Sequence, residues 1–231
     1  MIKKLPSLER GHTQFDWLDS RHSFSFGEYH DPEQMGFRSL RVINEDIVAP
    51  GGGFGTHPHR DAEIFTYVIK GSLQHRDSMG NESVIPAGNL QYMSAGSGVQ
   101  HSEFNASDKE PVHLLQIWLL PNVSGGDPRY AEKEMGTNAK SNTLTPLFSG
   151  KESAETVAIR QNAEIAFGKL DPDHRLGLPH GYAYHWIQVV RGNLRILDEK
   201  LVAGDGLAIA DSPQLVITAL EPSEFIVFHL Q

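Results

Sequence analysis

A short segment of the sequence holds two histidines at a spacing that suits metal binding. His57 and His59 are separated by Pro58, and they follow a glycine-rich run at residues 51–55. In a β-strand, residues i and i+2 point to the same face, so both imidazoles could reach one ion. Neutral imidazole is a ligand for Zn, Cu, Fe and Ni. Two exposed loop histidines would show the same pattern, so this pair alone leaves both interpretations open.

A second pair, His101 and Glu103, repeats this spacing with one imidazole and one carboxylate. Two such pairs on neighbouring strands would form a cup of three histidines and one glutamate with open coordination positions. A site of this kind suits non-haem Fe(II) oxygen chemistry. The sequence therefore predicts one divalent metal ion, with Fe(II) favoured and Mn, Ni, Cu, Zn and Co as alternatives.

The composition excludes several other kinds of site and partner. The 231 residues include 12 His and no Cys, so thiolate metal sites and disulfides are excluded. With 20 Lys+Arg against 29 Asp+Glu, the net charge is −9, which argues against direct nucleic-acid binding. The sequence lacks an apolar run of about 20 residues that could span a bilayer. It also lacks the apolar segment of a signal peptide. We expect a cytoplasmic protein without a membrane partner.

Short runs of β-branched, aromatic and leucine residues, each bounded by turn residues, predict an all-β fold. A different pattern begins at Pro121, where residues 129–135 could form one short helix. We place a domain boundary near residue 140, which gives domains 1–140 and 141–231. The runs that predict strands cover residues 39–43, 64–70, 83–86, 90–93, 112–120, 156–160, 185–190, 193–197, 206–209, 215–218 and 225–230.

The two halves contain an internal repeat. The run from Tyr67 through Gly71 matches the run from Gln188 through Gly192, at an offset of 121. A repeat at such a long period indicates duplicated domains, because solenoid periods are roughly 20–50 residues. The same offset places Leu178 opposite His57, so the second copy lacks one ligand of the pair. We therefore expect the second domain to hold no metal site of the first type.

The residues around these pairs resemble the cupin superfamily. The first cupin motif matches from Gly51 to Gly71 with one residue of extra spacing, and it includes Glu63. The second motif is split, because Gln91 stands where a histidine is usual and His101 follows later. The segments 19–29, 57–63 and 93–103 together resemble the pirin family, and this resemblance covers nearly all of the chain.

The resemblance implies a fold, a ligand set and an activity. Pirins are bicupins, in which two β-barrel or sandwich domains face each other. The pirin pattern implies His57, His59, His101 and Glu103 as ligands, whereas ordinary cupins would use Glu63; we favour Glu103 and keep Glu63 as an alternate. Bacterial pirins are associated with quercetin 2,3-dioxygenase activity, which opens a flavonol ring with O2 and releases carbon monoxide. Glu103 or Glu63 would then be the candidate base.

The substrate side of this hypothesis rests on fewer residues. A flavonol-like aromatic and O2 are the expected partners, and Phe24, Phe26 and Phe37 could line an aromatic pocket, although such residues are more often core. A metal-containing binding or regulatory protein is the alternative, because eukaryotic pirins are linked to transcription cofactors. We expect a monomer. Several histidines show no ligand spacing and are treated as isolated: His12, His30, His75, His113, His174 and His229.

Overall fold

The computed structural model describes residues 1–134, 139–151, 153–211 and 214–231. These residues form 22 β-strands and one 3₁₀ turn at Ser7–Glu9, so the all-β prediction is confirmed. The first eleven strands are β1 (Ile2–Leu5), β2 (Gly11–Phe15), β3 (Leu18–His22), β4 (Leu40–Val48), β5 (Gly53–His59), β6 (Glu63–Lys70), β7 (Ser72–Asp77), β8 (Glu82–Pro86), β9 (Asn89–Ser94), β10 (Val99–Asn105) and β11 (Val112–Leu119). The remaining strands are β12 (Arg129–Glu134), β13 (Thr143–Ser149), β14 (Val157–Ala158), β15 (Glu164–Leu170), β16 (Arg175–Gly177), β17 (Tyr184–Arg191), β18 (Asn193–Ile196), β19 (Glu199–Val202), β20 (Gly206–Ala210), β21 (Val216–Ala219) and β22 (Ser223–Leu230).

The chain divides into two compact units. One unit is residues 11–138, and the other combines residues 1–10 with residues 139–231. The sequence boundary placed residues 1–10 in the first domain, whereas β1 pairs antiparallel with β20 of the second unit. The N-terminal strand therefore pairs within the second unit, and no local pattern in residues 1–10 indicated this pairing. In the described parts of the chain, no helix is long and apolar enough to cross a membrane.

The first unit is a sandwich of two sheets. Its seven-stranded sheet has the order β12-β9-β6-β11-β4-β3-β2, and its four-stranded sheet has the order β5-β10-β7-β8. Val68 and Leu114 of the larger sheet join one core cluster with Leu73 and Ile85 of the smaller sheet. Because side chains alternate between faces, Thr66 and Gln116 point into the same interior as these core residues. Two polar side chains thus lie between the aliphatic residues of this layer.

The second unit repeats this plan with an apolar interior. Its sheets have the orders β1-β20-β17-β22-β15-β13-β14 and β16-β21-β18-β19. Ile187 and Val227 are paired across β17 and β22, as Thr66 and Gln116 are paired across β6 and β11. The repeat offset of 121 aligns Thr66 with Ile187. Ile187 and Val227 belong to one core cluster that spans both sheets. The second unit is therefore packed with aliphatic side chains where the first unit is polar.

The internal repeat corresponds to equivalent turns in the two units. Gly71 joins β6 to β7 with φ +79°, and Gly192 joins β17 to β18 with φ +80°. A Cβ atom on Gly192 would lie 2.3 Å from the carbonyl oxygen of Pro222. Only glycine adopts such a positive φ without strain, and here it also allows the close backbone approach.

The predicted helix at residues 129–135 is wrong. Residues 129–134 form β12, which pairs antiparallel with β9 from Arg129↔Ser94 to Glu134↔Asn89, and residue 135 lies outside the described residues. Helix propensity is a weak prior that tertiary context overrides. Here the segment forms the edge strand of the larger sheet, and its backbone groups pair with those of β9.

The turn at Gly192 generates a stability prediction. Gly192→Ala should lower the free energy of unfolding by roughly 1–3 kcal/mol or more, because a non-glycine residue at positive φ is strained. Gly177→Ala is the matched control, since a Cβ there meets nothing within 4 Å. Urea unfolding of both variants would measure the difference. Equal stability of the two variants would contradict the steric requirement at Gly192.

Candidate metal centre

Strand β10 places two of the predicted ligands in the interior. Its burial alternates strictly, with Val99, His101, Glu103 and Asn105 buried and the residues between them more exposed. His101 is 2% exposed and Glu103 is 3% exposed. Period-two alternation alone therefore carries an imidazole and a carboxylate to the position of core residues.

Strand β5 supplies the other two histidines through an irregular pairing. His101 lies opposite His57, but Glu103 lies opposite Phe54, so β5 contains one extra residue between these two pairs. A bulge of this kind shifts which side chains face inward. Phe54 and His57 are three residues apart, so in a regular strand their side chains would point to opposite faces. Because of the bulge, Phe54 packs against an interior core cluster and His57 also contacts the buried His101.

The structure brings His57, His59 and His101 together. One ring nitrogen from each lies within 4.8 Å of the others. The Nε2 atoms of His57 and His101 are 3.0 Å apart. The Nδ1–H of His57 donates to the carbonyl oxygen of Gly55 at 2.8 Å. This bond fixes the tautomer, so the His57 Nε2 lone pair points toward the other two rings.

The electrostatics of the cluster favour neutral imidazoles. Burial lowers the pKa of His59 to about 4, with further lowering by the nearby charges of His101 and His57. Burial also lowers the pKa of His101 to about 3, with contributions from His57 and His75. Metal ligation requires the neutral ring, because the ligand atom must carry a free lone pair. The converging ring nitrogens of His57, His59 and His101, with the pKa values of His59 and His101 lowered, fit a divalent metal.

Glu103 lies beside this cluster and is held at both oxygens. The Thr66 hydroxyl donates to Glu103 Oε1 at 3.1 Å, and the Gln116 amide donates to Oε2 at 2.9 Å. Among the described residues, Glu103 falls into a second group of possible ligands with His101 and His75. His101 is thus common to both groups. The four-residue set of His57, His59, His101 and Glu103 remains a prediction.

His75 is an interior residue that the sequence interpretation missed. It is fully buried and lies opposite Glu103 across β7 and β10. Its Nδ1 accepts from the Gln91 amide at 3.1 Å, and its Nε2–H donates to Asp77 at 3.0 Å. Both nitrogens are therefore engaged, which favours a supporting role over ligation. The available indication was the spacing of His75 and Asp77, which repeats the i, i+2 pattern of the other pairs.

Glu63, the alternate carboxylate, faces away from the cluster. It lies three residues before Thr66 on β6, so the two side chains point to opposite faces of the sheet. Its oxygens accept hydrogen bonds from Tyr92 and Ser94, each at 2.5 Å. Burial and the charge of Glu63 raise the pKa of Tyr92, which keeps this phenol a donor. Glu63 is 1% exposed and has its own set of partners outside the histidine cluster.

The histidines of the second unit form a different arrangement. Leu178, which the repeat aligns with His57, is buried, and His180 is exposed. His185 and His229 face each other with their Nδ1 atoms 2.8 Å apart, and Tyr182 stacks on His229. Both groups of possible ligands in the described residues lie between His57 and Glu103. The expectation that the second domain holds no such metal site stays a prediction.

Comparisons with known proteins agree with both halves of the fold. Residues 6–119 match the profile of the family described as Pirin, and residues 147–230 match that of the Quercetinase C-terminal cupin domain. A relative from Escherichia coli strain K12 named quercetin 2,3-dioxygenase is 44% identical over 235 residues, covering 100% of this chain and 99% of that protein. The crystal structure of the Escherichia coli bacterial pirin YhhW in complex with nickel(II) superposes with a TM-score of 0.94 at 42% identity, covering 100% and 99% of the two chains. A quercetin 2,3-dioxygenase structure from Acinetobacter baumannii, with a TM-score of 0.75 at 22% identity over 96% of this chain and 84% of that one, shares the fold.

The two glutamates allow a paired test of the carboxylate ligand. Glu103→Gln should weaken Ni(II) binding at least about tenfold, the lower end of the loss seen when even an outer partner of a metal site is removed. Glu63→Gln should leave Ni(II) affinity unchanged, because its side chain points to the opposite face. Calorimetric titration of the metal-free variants would measure both affinities. A loss confined to Glu63→Gln would reverse the assignment.

The buried pair in the second unit predicts acid sensitivity. Burial, with the charge of His185, lowers the pKa of His229 to about 3 from its ordinary value of 6.5. Below pH 6.5, His229 is therefore protonated in the unfolded chain, whereas in the folded chain it stays neutral down to about pH 3. The free energy of unfolding should fall as pH falls through this window.

His229→Gln removes this titrating group and serves as the comparison. Between pH 6 and pH 4, the unfolding free energy of His229→Gln should fall less steeply than that of the wild-type chain, by up to about 1.4 kcal/mol per pH unit. Denaturant titrations at a series of pH values would give both slopes. Parallel slopes would show that His229 does not contribute to the acid sensitivity.

Proposed function

The chain belongs to the pirin family, and from this premise we propose that it is a metal-dependent dioxygenase acting on a flavonol such as quercetin. Its full-length relative from Escherichia coli bears the name of that activity. The observation that carries the proposal is the convergence of the ring nitrogens of His57, His59 and His101 beside the buried carboxylate of Glu103. An oxygenase of this kind needs such a donor set with room for substrate beside it.

The proposed ligands are His57, His59, His101 and Glu103, and the proposed metal is Fe(II). The nickel(II) complex of the related YhhW shows that a pirin can hold a divalent ion. Three nitrogens and one oxygen accept several first-row metals, so ligand type alone does not select iron. Elemental analysis of protein purified without added metal would identify the ion that it carries.

An open cleft gives access to the histidine cluster. The cleft has a volume of about 560 Å³ and is lined by His59 together with residues 58, 60, 78 and 98–100. Its size lies within the range of roughly 300–1,000 Å³ for small-molecule sites. His59 belongs to both the cluster and the cleft lining, so the cluster borders the surface at this ring.

The chemistry divides between the metal and the side chains. When bound, the metal would act as a Lewis acid that lowers the pKa of the flavonol 3-hydroxyl, an enolic group. Glu103 is the proposed proton acceptor for that hydroxyl, because it is the carboxylate on the interior face. Thr66 and Gln116 hold both oxygens of Glu103 in place. Glu63 is set aside as the base, since Tyr92 and Ser94 engage it on the opposite face.

Flavonol turnover tests the proposal directly. The Fe(II)-loaded chain should consume quercetin and O2 and release carbon monoxide, and both a chelator and His57→Ala should abolish this turnover. His30→Ala is the matched control, because His30 is exposed and remote in sequence from the ligand pairs. Quercetin loss is followed by absorbance together with O2 uptake.

Two results would contradict the proposal. Turnover that survives both the chelator and His57→Ala would exclude a metal-dependent reaction at this site. A stoichiometric metal with no flavonol turnover would instead support the alternative of a metal-containing binding or regulatory protein.

A further inference from the structure

A second cavity in the first unit lies apart from the open cleft. It has a volume of about 170 Å³ and lies between the β2–β3 hairpin and strand β5. We propose that this cavity holds the pendant aromatic ring of the flavonol, an inference that rests on the proposed function. The side chains that carry the argument are Phe15, Phe26, Phe54, Ser20, His22 and Asp46.

Aromatic and aliphatic side chains form part of the cavity wall. Phe15, Phe26 and Phe54 line it together with Leu18. An engineered apolar cavity of about 150 Å³ binds benzene, so a space of this size accommodates one six-membered ring. The fused double ring of a flavonol is too large for it. The single pendant ring is therefore the part of the substrate that fits.

Five of the six polar side chains that line the cavity are paired with one another, and the sixth, Glu28, is exposed. Ser20 donates to Asp46 at 2.5 Å, and the Nδ1–H of His22 donates to Asn44 at 2.9 Å. The Thr13 hydroxyl donates to His22 Nε2 at 2.9 Å. These bonds leave the cavity with an apolar character despite its polar neighbours. A hydroxyl added at the buried end of the ring, away from Glu28, would lose its water among side chains that already bond one another.

Two ring contacts link the cavity to the histidine cluster. Phe26 packs edge-on against Trp118 with centroids 5.4 Å apart. Trp118 packs edge-on against His59 with centroids 4.8 Å apart. Phe54 comes from the same strand as His57 and His59 and lies opposite Glu103. A flavonol with its pendant ring in the cavity would therefore direct its oxygenated ring toward the metal ligands.

The expected pocket of Phe24, Phe26 and Phe37 is only partly realised. Phe26 lines the cavity, whereas Phe24 is 2% exposed and lies in the core. Phe37 forms a backbone bridge with Leu40 and is absent from the cavity lining. The aromatic wall is completed by Phe15 and Phe54, which come from other strands.

The apolar character gives a test with three flavonols. KM should be lowest for a flavonol with no hydroxyl on the pendant ring, higher for quercetin with two, and highest for the analogue with three. Each step should be about fivefold or more, which reflects an unpaired polar group in the cavity. Dissociation constants without O2, from quenching of tryptophan fluorescence, should follow the same order.

A pair of phenylalanine variants isolates the wall of the cavity. Phe15→Ala should raise KM and the anaerobic dissociation constant by roughly tenfold, through lost apolar contact, with little change in kcat or metal content. Phe104→Ala is the control, because Phe104 is similarly exposed (38% against 47% for Phe15) but does not line the cavity. Circular dichroism and metal content of both variants would establish that they fold.

The outcomes separate this inference from the proposed function. Turnover with equal KM for the three flavonols and no effect of Phe15→Ala would overturn the cavity assignment and leave the dioxygenase proposal intact. Ordered anaerobic binding that depends on Phe15, without turnover of any flavonol, would support the cavity and contradict the dioxygenase proposal.

Discussion

The arrangement of the first unit depends on a buried carboxylate that must be held by hydrogen bonds. Glu103 occupies a core position, and an unpaired charge there would strongly destabilise the fold. Thr66 and Gln116, neighbours across β6 and β11, each donate to one of its oxygens. The pairing continues across the sheet from Gln116 to Asn44 and from Thr66 to Gln91. A polar row thus crosses the larger sheet beneath the histidine cluster and divides the aliphatic packing of this unit.

The second unit shows the same fold without this constraint. Where the first unit has Thr66 and Gln116, the second has Ile187 and Val227, and both belong to one apolar core cluster. A carboxylate in that interior would have no donors at the equivalent positions. Leu178 aligns with His57 in the repeat. It is therefore one of several positions where the second unit has an apolar side chain and the first unit has a polar one. The polar row that supports Glu103 in the first unit has apolar residues at the equivalent positions of the second.

The same alternation of side chains explains why one glutamate is near the histidines and the other is not. Glu103 follows His101 at an even spacing, so both point inward. Glu63 is at an odd spacing from Thr66 and points to the other face, where Tyr92 and Ser94 bind it. Both carboxylates are buried and hydrogen-bonded, so burial alone does not distinguish a ligand from a structural group.

The sequence by itself determined the all-β class, the duplication and the three histidines, because strand periodicity and turn glycines are local properties. Gly71 and Gly192 marked equivalent turns for this reason. The tertiary structure decided what depends on contacts between distant strands. The strand at residues 129–134 forms because β9 offers it hydrogen-bond partners, against its helical propensity. The burial of His75 and the inward turn of Phe54 likewise follow from cross-strand register and a bulge. Spacing along one strand gives the face of a side chain, whereas its neighbours across the sheet are fixed only when the strands pair.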